Sequence, residues 1–447
     1  MKARNRALVI VLAMLLVACA GAPTTSTPGA SPAAAAPSTA PASATANAGP
    51  ITLNVWVRDY TLNQDSPFTS AKRAFEAKHP NVTVNLLGLP NDPLYQKLLL
   101  SKSGGDKPDV FQMDTIWLGQ MAEEHLATNL DSHYANFSQA TDIPDNYLAS
   151  SKWKGSYYGV WLNSDVRLFD WNKDVFRKAG LDPEKPPATW DEMISMAQTI
   201  QSKLSGVSGV CFPAKAEETT ADRWYPFLWM GGGDILSTDF SQATFNSAAG
   251  VQALQLYVDL VHKYKVTPIS VLNQSGDDVE NALFAGKCAM DIVGVGTGQA
   301  DVAIDAQATY AQHYGAAQIP LCAGCQASSG AGGWLLGVND ASPQKDLAFE
   351  FIDMATATDN VMAFDVEQQR VPVRKSGLAL TDAFKGVAYF DQIAQAAKVA
   401  HFAPWIPQYP KLLETIYTAI QIAVQGDVPV KDALDAGVAA ANKILKP

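Results

Sequence analysis

Short apolar runs of β type alternate with helical patterns along most of the chain. Ile51–Val57 has the character of a strand, and Ser66–His79 follows with helical spacing. The same order recurs in the predicted strands Val82–Leu87, Asp109–Met113, Val210–Pro213 and Cys288–Val293, and in the predicted helices Leu94–Ser103, Leu118–His125, Asp174–Ala179, Trp190–Leu204, Ala248–Lys263 and Asp278–Phe284. From Gln344 to Lys446 the pattern is mainly helical. Repeated β-α order with short connections favours an α/β fold, with a mostly parallel sheet covered by helices.

The N-terminal segment has a different pattern. Basic residues occur among the first six positions, and an apolar stretch then runs from Ala7 to the sequence Leu-Val-Ala that precedes Cys19. A basic start, a short apolar core and a small residue before the cut are the parts of a secretory signal, and a cysteine at the cut resembles a bacterial lipobox. We therefore expect residues 1–18 to be a lipoprotein signal peptide and Cys19 to carry lipid. An ordinary signal peptide with a chance cysteine, or a short membrane helix, is the alternative.

Residues 19–50 predict a flexible tether. After Cys19 they are almost all Ala, Pro, Ser, Thr and Gly. Such a segment cannot bury enough apolar surface to offset the entropy of ordering it. A tether behind a lipid attachment site would keep a folded body close to the membrane surface, although an unstructured tail without a role is the alternative.

Length and charge narrow the class of protein. The part of the chain after the tether is too long for one small core, which suggests two lobes or domains. The net charge of −11 argues against a nucleic-acid partner, because phosphate binding requires a basic face. It also argues against membrane contact through the folded body, so we expect the N-terminal lipid to be the only contact with the membrane.

Four cysteines remain if Cys19 carries lipid. An even number outside the cytoplasm suggests two disulfides. Cys322 and Cys325 lie in a Gly/Ser-rich loop and suggest a local clamp, whereas Cys211 and Cys288 each lie in a short β-like run, where a strand-to-strand bridge is plausible. A four-cysteine zinc site is the alternative.

Five segments carry a family pattern. They are a Tyr-Gly strand at 158–159 leading to an Asn-Lys-Asp turn at 172–174 and a Thr-Trp-Asp-Glu helix start at 189–192; Phe284–Met290; Gly332–Gly337; Arg370–Ser376; and Gly426–Pro429. In this order, together with the lipobox, they resemble the solute-binding proteins of ABC importers, in the family 1 branch that includes maltose-type and other sugar-binding proteins. The likeness covers nearly all of the chain after the tether and does not specify the ligand.

The resemblance implies a type II-like periplasmic-binding-protein fold, with two α/β lobes around a ligand cleft. The first lobe would combine residues 51–164 with 338–393, and the second 165–337 with 394–447. Crossings would fall near Asn163–Arg167, Trp334–Val338 and Ile393–Val399. It also implies hinge closure on a solute outside the cytoplasmic membrane and delivery to an ABC permease. We expect a monomer.

A sugar site requires aromatic platforms together with carboxylate, amide and guanidinium groups. The candidate ligand-binding residues are Arg58, Asp59, Tyr60, Asp114, Trp117, Asn163, Asp165, Arg167, Trp224, Tyr225, Gly296, Thr297, Trp334 and Trp405. Core packing is the alternative for each tryptophan, and surface ion pairing for Arg58 and Arg167. The arginine content leaves room for an acidic or phosphorylated sugar.

Enzyme motifs are not apparent in the sequence. It contains no nucleophile elbow, His-Glu-x-x-His helix or phosphate-cradling loop, and the histidines have no ligand spacing. We expect no catalytic residue, cofactor or metal. A secreted glycoside-acting enzyme and a binding protein that feeds a sensor are the alternatives.

Overall fold

The strands form one mixed sheet and a small hairpin. The computed structural model describes residues 49–62, 66–294, 307–368, 370–379 and 381–446. Within these ranges the strands are β1 (Ile51–Arg58), β2 (Val82–Leu89), β3 (Val110–Asp114), β4 (Lys152–Trp153), β5 (Ser156–Tyr157), β6 (Val160–Asn172), β7 (Met290–Gly294), β8 (Tyr314–Ala317), β9 (Ser329–Val338) and β10 (Ala400–Phe402). The large sheet has the order β2-β1-β3-β9-β6-β7, with β10 paired to β9 and β8 paired to β6.

Helices fill most of the remaining chain. They are α1 (Pro67–Lys78), α2 (Asn91–Ser101), α3 (Leu118–Glu123), α4 (Asp131–Tyr134), α5 (Asp145–Ser150), α6 (Lys173–Ala179), α7 (Trp190–Lys203), α8 (Glu218–Met230), α9 (Ala248–His262), α10 (Gly276–Phe284), α11 (Gln307–His313), α12 (Lys345–Ala355), α13 (Thr358–Glu367), α14 (Lys375–Ala379), α15 (Phe390–Lys398), α16 (Tyr409–Gln425) and α17 (Val430–Leu445). Local chemistry explains several boundaries. The Ser66 hydroxyl accepts from the Thr69 N–H at 3.1 Å to begin α1, and Thr189 accepts from the Glu192 N–H at 3.2 Å to begin α7.

Two long strands join the two ends of the large sheet. The first part of β6 pairs with the end of β9, which pairs on its other side with β3. The second part of β6 pairs with β7 and β8. The β6–β9 ladder shifts register between Trp161 and Asn163, and Gly333 nearby has a φ of 145°. A side chain there would clash with the carbonyl of Asn163, so this crossing point requires glycine.

Two expectations about strands were wrong. The sheet is mixed rather than mostly parallel. Strand β1 is parallel to its neighbours β2 and β3. Antiparallel pairing joins β3 to β9, β9 to β6, and β6 to both β7 and β8. Val210–Pro213 is not a strand either. It is buried irregular backbone, held by single hydrogen bonds such as Cys211 N–H to the Met290 carbonyl at 2.9 Å.

The cysteines lie in the expected pairs. The Cα atoms of Cys211 and Cys288 are 6.2 Å apart and those of Cys322 and Cys325 5.3 Å, with the sulfur atoms of each pair at bonding distance. Formation of the bonds stays a prediction. Over the ranges that the structure covers, no helix has both the length and the apolar character to cross a bilayer. Cys19 and the tether lie outside those ranges, except for Gly49 and Pro50.

Candidate functional site

A cavity of about 720 Å³ opens beside the crossing strands. This volume is within the usual range for small-molecule sites. One wall comes from the early part of the chain and is formed by Asn91, Tyr95, Gln96, Ile116 and Trp117. The other comes from β6 and the later helices and is formed by Arg167, Glu217, Glu218, Thr219, Asp222, Ser275, Asp277, Pro410, Leu413, Glu414 and Tyr417.

The first wall is built on aromatic rings that pack at an angle to one another. The rings of Tyr95 and Trp117 have centroids 4.9 Å apart, and Trp117 meets Trp334 edge-on at 5.8 Å. Behind them the guanidinium of Arg58 lies 4.7 Å from the Trp334 ring centroid and donates to Asn91 Oδ1 at 3.2 Å. Both tryptophan rings are almost completely buried, Trp117 at 5% and Trp334 at 7% exposed, and of the two Trp117 is among the residues that line the cavity. The structure thus brings three of the predicted residues together, and Trp117 is the one that lines the cavity.

A chain of alternating charges forms the base of the second wall. Arg167 donates from Nε to Asp222 Oδ2 at 2.7 Å and from Nη1 to Asp165 Oδ1 at 2.8 Å. Arg370 approaches the other oxygen of Asp165 at 3.1 Å. Desolvation alone would raise the pKa of Asp165, but the charges of Arg167 and Arg370 outweigh it and hold that pKa below its usual range. Both oxygens of Asp165 are therefore occupied.

Glycines on β9 make room for this chain of charges. A Cβ at Gly330 would lie 3.3 Å from Arg167 Cγ, and one at Gly332 would lie 3.2 Å from Asp165 Oδ1. Contacts this short require the charged side chains to move, so the Gly-rich sequence of β9 allows the two side chains to lie across the strand.

Asp114 lies at the end of β3, where it caps the following turn. Its Oδ1 accepts from the Ile116 N–H at 3.1 Å and from the Thr115 hydroxyl at 3.2 Å. Desolvation is the main cause that raises the pKa of Asp114 to about 6, and the negative charge of Asp165 adds to it. Asp114 therefore gains or loses its proton close to neutral pH.

Asn163 is a buried amide whose side chain has no hydrogen-bond partner among the described residues. It lies opposite Trp334 in the β6–β9 register, and Trp334 lies opposite Asp114 in the β3–β9 register. The side chain of Asn163 is fully buried, and neither its Oδ1 nor its Nδ2 forms a hydrogen bond to a residue that the structure describes. The structure places Asn163 in the interior behind the wall.

Trp224 and Tyr225 do not lie where the sequence suggested. We expected a loop here, but both belong to α8, and both are almost completely buried. The Tyr225 hydroxyl is 2.7 Å from that of Tyr409, which holds the Tyr225 ring against α16. Packing against α16 and neighbouring elements explains the difference, so these two residues belong to the core.

The remaining candidates lie off the cavity or outside the described residues. Trp405 is half-buried and donates from Nε1 to the Lys152 carbonyl at 3.2 Å, and it is not among the lining residues. Asp59 is exposed and does not line the cavity either. Gly296, Thr297 and the side chain of Tyr60 lie outside the described part of the chain.

Several lining residues were not singled out from the sequence. Tyr95 lies on α2, Asp222 on α8, and Glu414 and Tyr417 on α16. Their helical positions gave no sign that they face a cavity, because that depends on how the helices pack. The adjacent pair Asp222-Arg223 was the one local signal, since two opposite charges stand in an otherwise apolar and aromatic segment.

Comparison with known proteins agrees with this architecture. A solute-binding protein from Thermotoga lettingae, bound with α-D-tagatose, superposes with a TM-score of 0.78 at 29% identity, covering 89% of this chain and 100% of that one. The cyclic α-maltosyl-1,6-maltose binding protein of Arthrobacter globiformis gives 0.75 at 26% identity, with 89% and 100% covered. Both likenesses extend over the two-lobe fold.

A relative found by sequence comparison is also named as a sugar-binding protein. The lactose-binding protein of Rhizobium radiobacter is 26% identical over 413 residues, which cover 87% of this chain and 91% of that protein. The family model for bacterial extracellular solute-binding proteins matches residues 60–362, a range that contains the residues of the first wall and both crossing strands, β6 and β9. A two-walled cavity on crossing strands, with this match across most of the chain, places the protein in the family of bacterial extracellular solute-binding proteins.

Proposed function

We propose that the protein captures a sugar outside the cytoplasmic membrane and delivers it to the permease of an ABC importer. The observation that carries the proposal is the cavity itself, which has an aromatic wall at Trp117 and Tyr95 and a polar wall on the other side of the crossing strands. Aromatic rings suit the apolar faces of a sugar, and carboxylates suit its hydroxyl groups. The names of the sugar-binding relatives support the same ligand class.

Closure of the cavity follows from its two walls. A solute that contacts both Trp117 and the residues near Asp222 gains more contacts when the walls approach, and only such a difference in contacts can favour a closed state. The strands β6 and β9 lie at the centre of the sheet, between β3 on one side and β7 on the other, and are the natural hinge. The lobe boundaries at 164, 338 and 393 belong to this proposal.

Anchoring and oligomeric state are also part of the proposal. The lipobox supports lipid attachment at Cys19, and the small-residue composition of 19–50 supports a tether between lipid and body. We also propose that the protein acts as a monomer.

We further propose that the protein is not an enzyme. A glycosidase requires two carboxyl groups at the scissile bond, one of them free to act as base or nucleophile. Asp114 retains a proton up to about pH 6, as an acid should, but its neighbour Asp165 has both oxygens held by Arg167 and Arg370. Membership of a binding-protein family supports the same conclusion.

Ligand titration tests the proposal directly. Calorimetry and thermal shift with tagatose, maltose, lactose and a panel of amino acids should show binding of at least one sugar, since a ligand of the folded state raises the melting temperature. Trp117→Ala should weaken that binding about tenfold or more, because it removes an aromatic platform. Trp153→Ala, which removes a tryptophan outside the cavity, is the matched control. Binding of amino acids but of no sugar would show that the assignment is wrong.

A further inference from the structure

The cavity has an uneven distribution of charge, and this bears on the ligand. Its lining contains five carboxylates, from Glu217, Glu218, Asp222, Asp277 and Glu414, and a single guanidinium, from Arg167. The N-termini of α8 and α10 also reach this wall, and their dipoles contribute about half a positive charge each. The wall is therefore strongly negative even with the dipoles included.

The positive groups near the cavity are already occupied. Arg167 is held by Asp165 and Asp222, at 2.8 and 2.7 Å, and Arg370 approaches Asp165 at 3.1 Å. The guanidinium of Arg58 stacks on a tryptophan and donates to an amide oxygen. The arginine content left room for an acidic or phosphorylated sugar. An anion at this site would have to displace a carboxylate to reach Arg167 or Arg370, or the tryptophan and amide contacts to reach Arg58.

The negative groups are less fully compensated. Glu217 has Lys215 at 3.6 Å and accepts from the Gly276 N–H at 3.0 Å. Asp277 and Glu414, by contrast, form no ion pair with any residue in the described ranges, although they face the same space from α10 and α16. Two exposed carboxylates without an ion-pair partner among the described residues, on the wall of the cavity opposite the aromatic rings, are an environment that attracts a cation and repels an anion.

We infer that the cavity selects its solute by charge: it takes neutral sugars, prefers sugars that carry an amine, and excludes phosphorylated or carboxylated sugars. The inference rests on the proposed capture of a sugar in this cavity and names the class of that sugar. Asp277 and Glu414 act as the residues that determine the selection, since neither forms an ion pair within the described ranges.

Matched ligands that differ only in charge test the inference. For each neutral hexose that binds, its amino and 6-phosphate counterparts are titrated by calorimetry near neutral pH, for example glucose, glucosamine and glucose 6-phosphate, or galactose, galactosamine and galactose 6-phosphate. We expect the phosphate to bind about tenfold or more weakly than the neutral sugar and the amine at least as tightly. The preference should shrink as salt is added, because the wall is open to solvent.

Variants identify the responsible residues. The double variant Asp277→Asn, Glu414→Gln should narrow the gap in affinity between the phosphorylated and the neutral sugar, because it removes two negative charges from the cavity wall. Both side chains are exposed, so the variant should fold, and Asp432→Asn on the surface of α17 is the matched control.

The outcomes separate this inference from the proposed function. If a neutral sugar binds and its phosphate binds equally well or better, the charge selection is wrong while sugar capture stands. An unchanged preference in the double variant would likewise overturn the role of these two residues. If no sugar of any charge binds, sugar capture itself fails, and the inference fails with it.

Discussion

Replacing Asp291 by asparagine should make the stability of the protein less dependent on pH. Asp291 lies on β7 directly opposite Asp170 on β6, and both are buried. Arg223 bonds to Glu280 and lies 3.8 Å from Asp291 Oδ2, and the hydroxyl of Tyr257 donates to the Arg223 carbonyl at 3.0 Å. Three carboxyl groups thus share one guanidinium in the interior, where a full set of charges is costly, so the cluster favours protonation.

The size of the effect follows from the pKa. Burial raises the pKa of Asp291 to about 7 against the opposing charge of Arg223, and the charge of Glu280 adds to the rise. The pKa of Asp291 in the folded state lies above the unfolded value of about 3.9. The stabilisation from protonated Asp291 is therefore complete below about pH 3.9 and is lost as pH rises through about 7. Each pH unit in this window costs about 1.4 kcal/mol. Between about pH 5 and pH 8 the loss through Asp291 is therefore up to about 3 kcal/mol.

Urea unfolding at both pH values measures this loss. Asparagine cannot ionise, and its oxygen can still accept from the Ile292 N–H, now 2.7 Å from Asp291 Oδ1. The free energy of unfolding of Asp291→Asn, relative to the unmodified protein, should therefore rise by about 3 kcal/mol from about pH 5 to pH 8. Asp432→Asn, at an exposed position, should show no such change. An Asp291→Asn difference that is the same at both pH values would refute the reasoning.

Two further perturbations test other parts of the structure. Replacing Cys211 and Cys288 by serine should lower the free energy of unfolding by about 4 kcal/mol, and replacing Cys322 and Cys325 by about 2 kcal/mol, because the disulfides close loops of 77 and 3 residues. Urea midpoints of the oxidised proteins measure both losses, and equal losses would contradict the prediction. Arg167→Met should destabilise by about 3 kcal/mol at neutral pH, because Asp222 loses the cation that it contacts and Asp165 keeps Arg370 alone of its two arginines. That loss should shrink at acid pH, and a pH-independent loss would contradict the explanation.

Local chemistry was sufficient to predict most helices. The boundaries of α1 and α7 follow from a Ser or Thr cap and from an amphipathic pattern, both of which are encoded within a few residues. The same reasoning failed for α8, because it is buried on nearly every side and so lacks an amphipathic pattern, and it also contains Pro226. Trp224 and Tyr225 were consequently interpreted as loop residues.

Contacts between residues far apart in the sequence determined the features that could not be predicted. The direction of β9 between β3 and β6 depends on contacts far apart in the sequence, so the mixed character of the sheet was not visible locally. The arginines show the same limit. Arg167 is 55 residues from Asp222, and Arg370 is 205 residues from Asp165. The sequence could identify Arg167 as a candidate, but only the fold shows that carboxylates already occupy it.

The continuity of β6 and β9 has a consequence for backbone dynamics. Their ladder is unbroken except for the register shift between Trp161 and Asn163, so bending at this point requires few hydrogen bonds to open. Amide hydrogens on both strands should then stay protected from exchange with solvent while the walls open and close around a ligand. Exchange at these amides would report global unfolding, whereas exchange in the helices that carry the walls would report opening of the cavity.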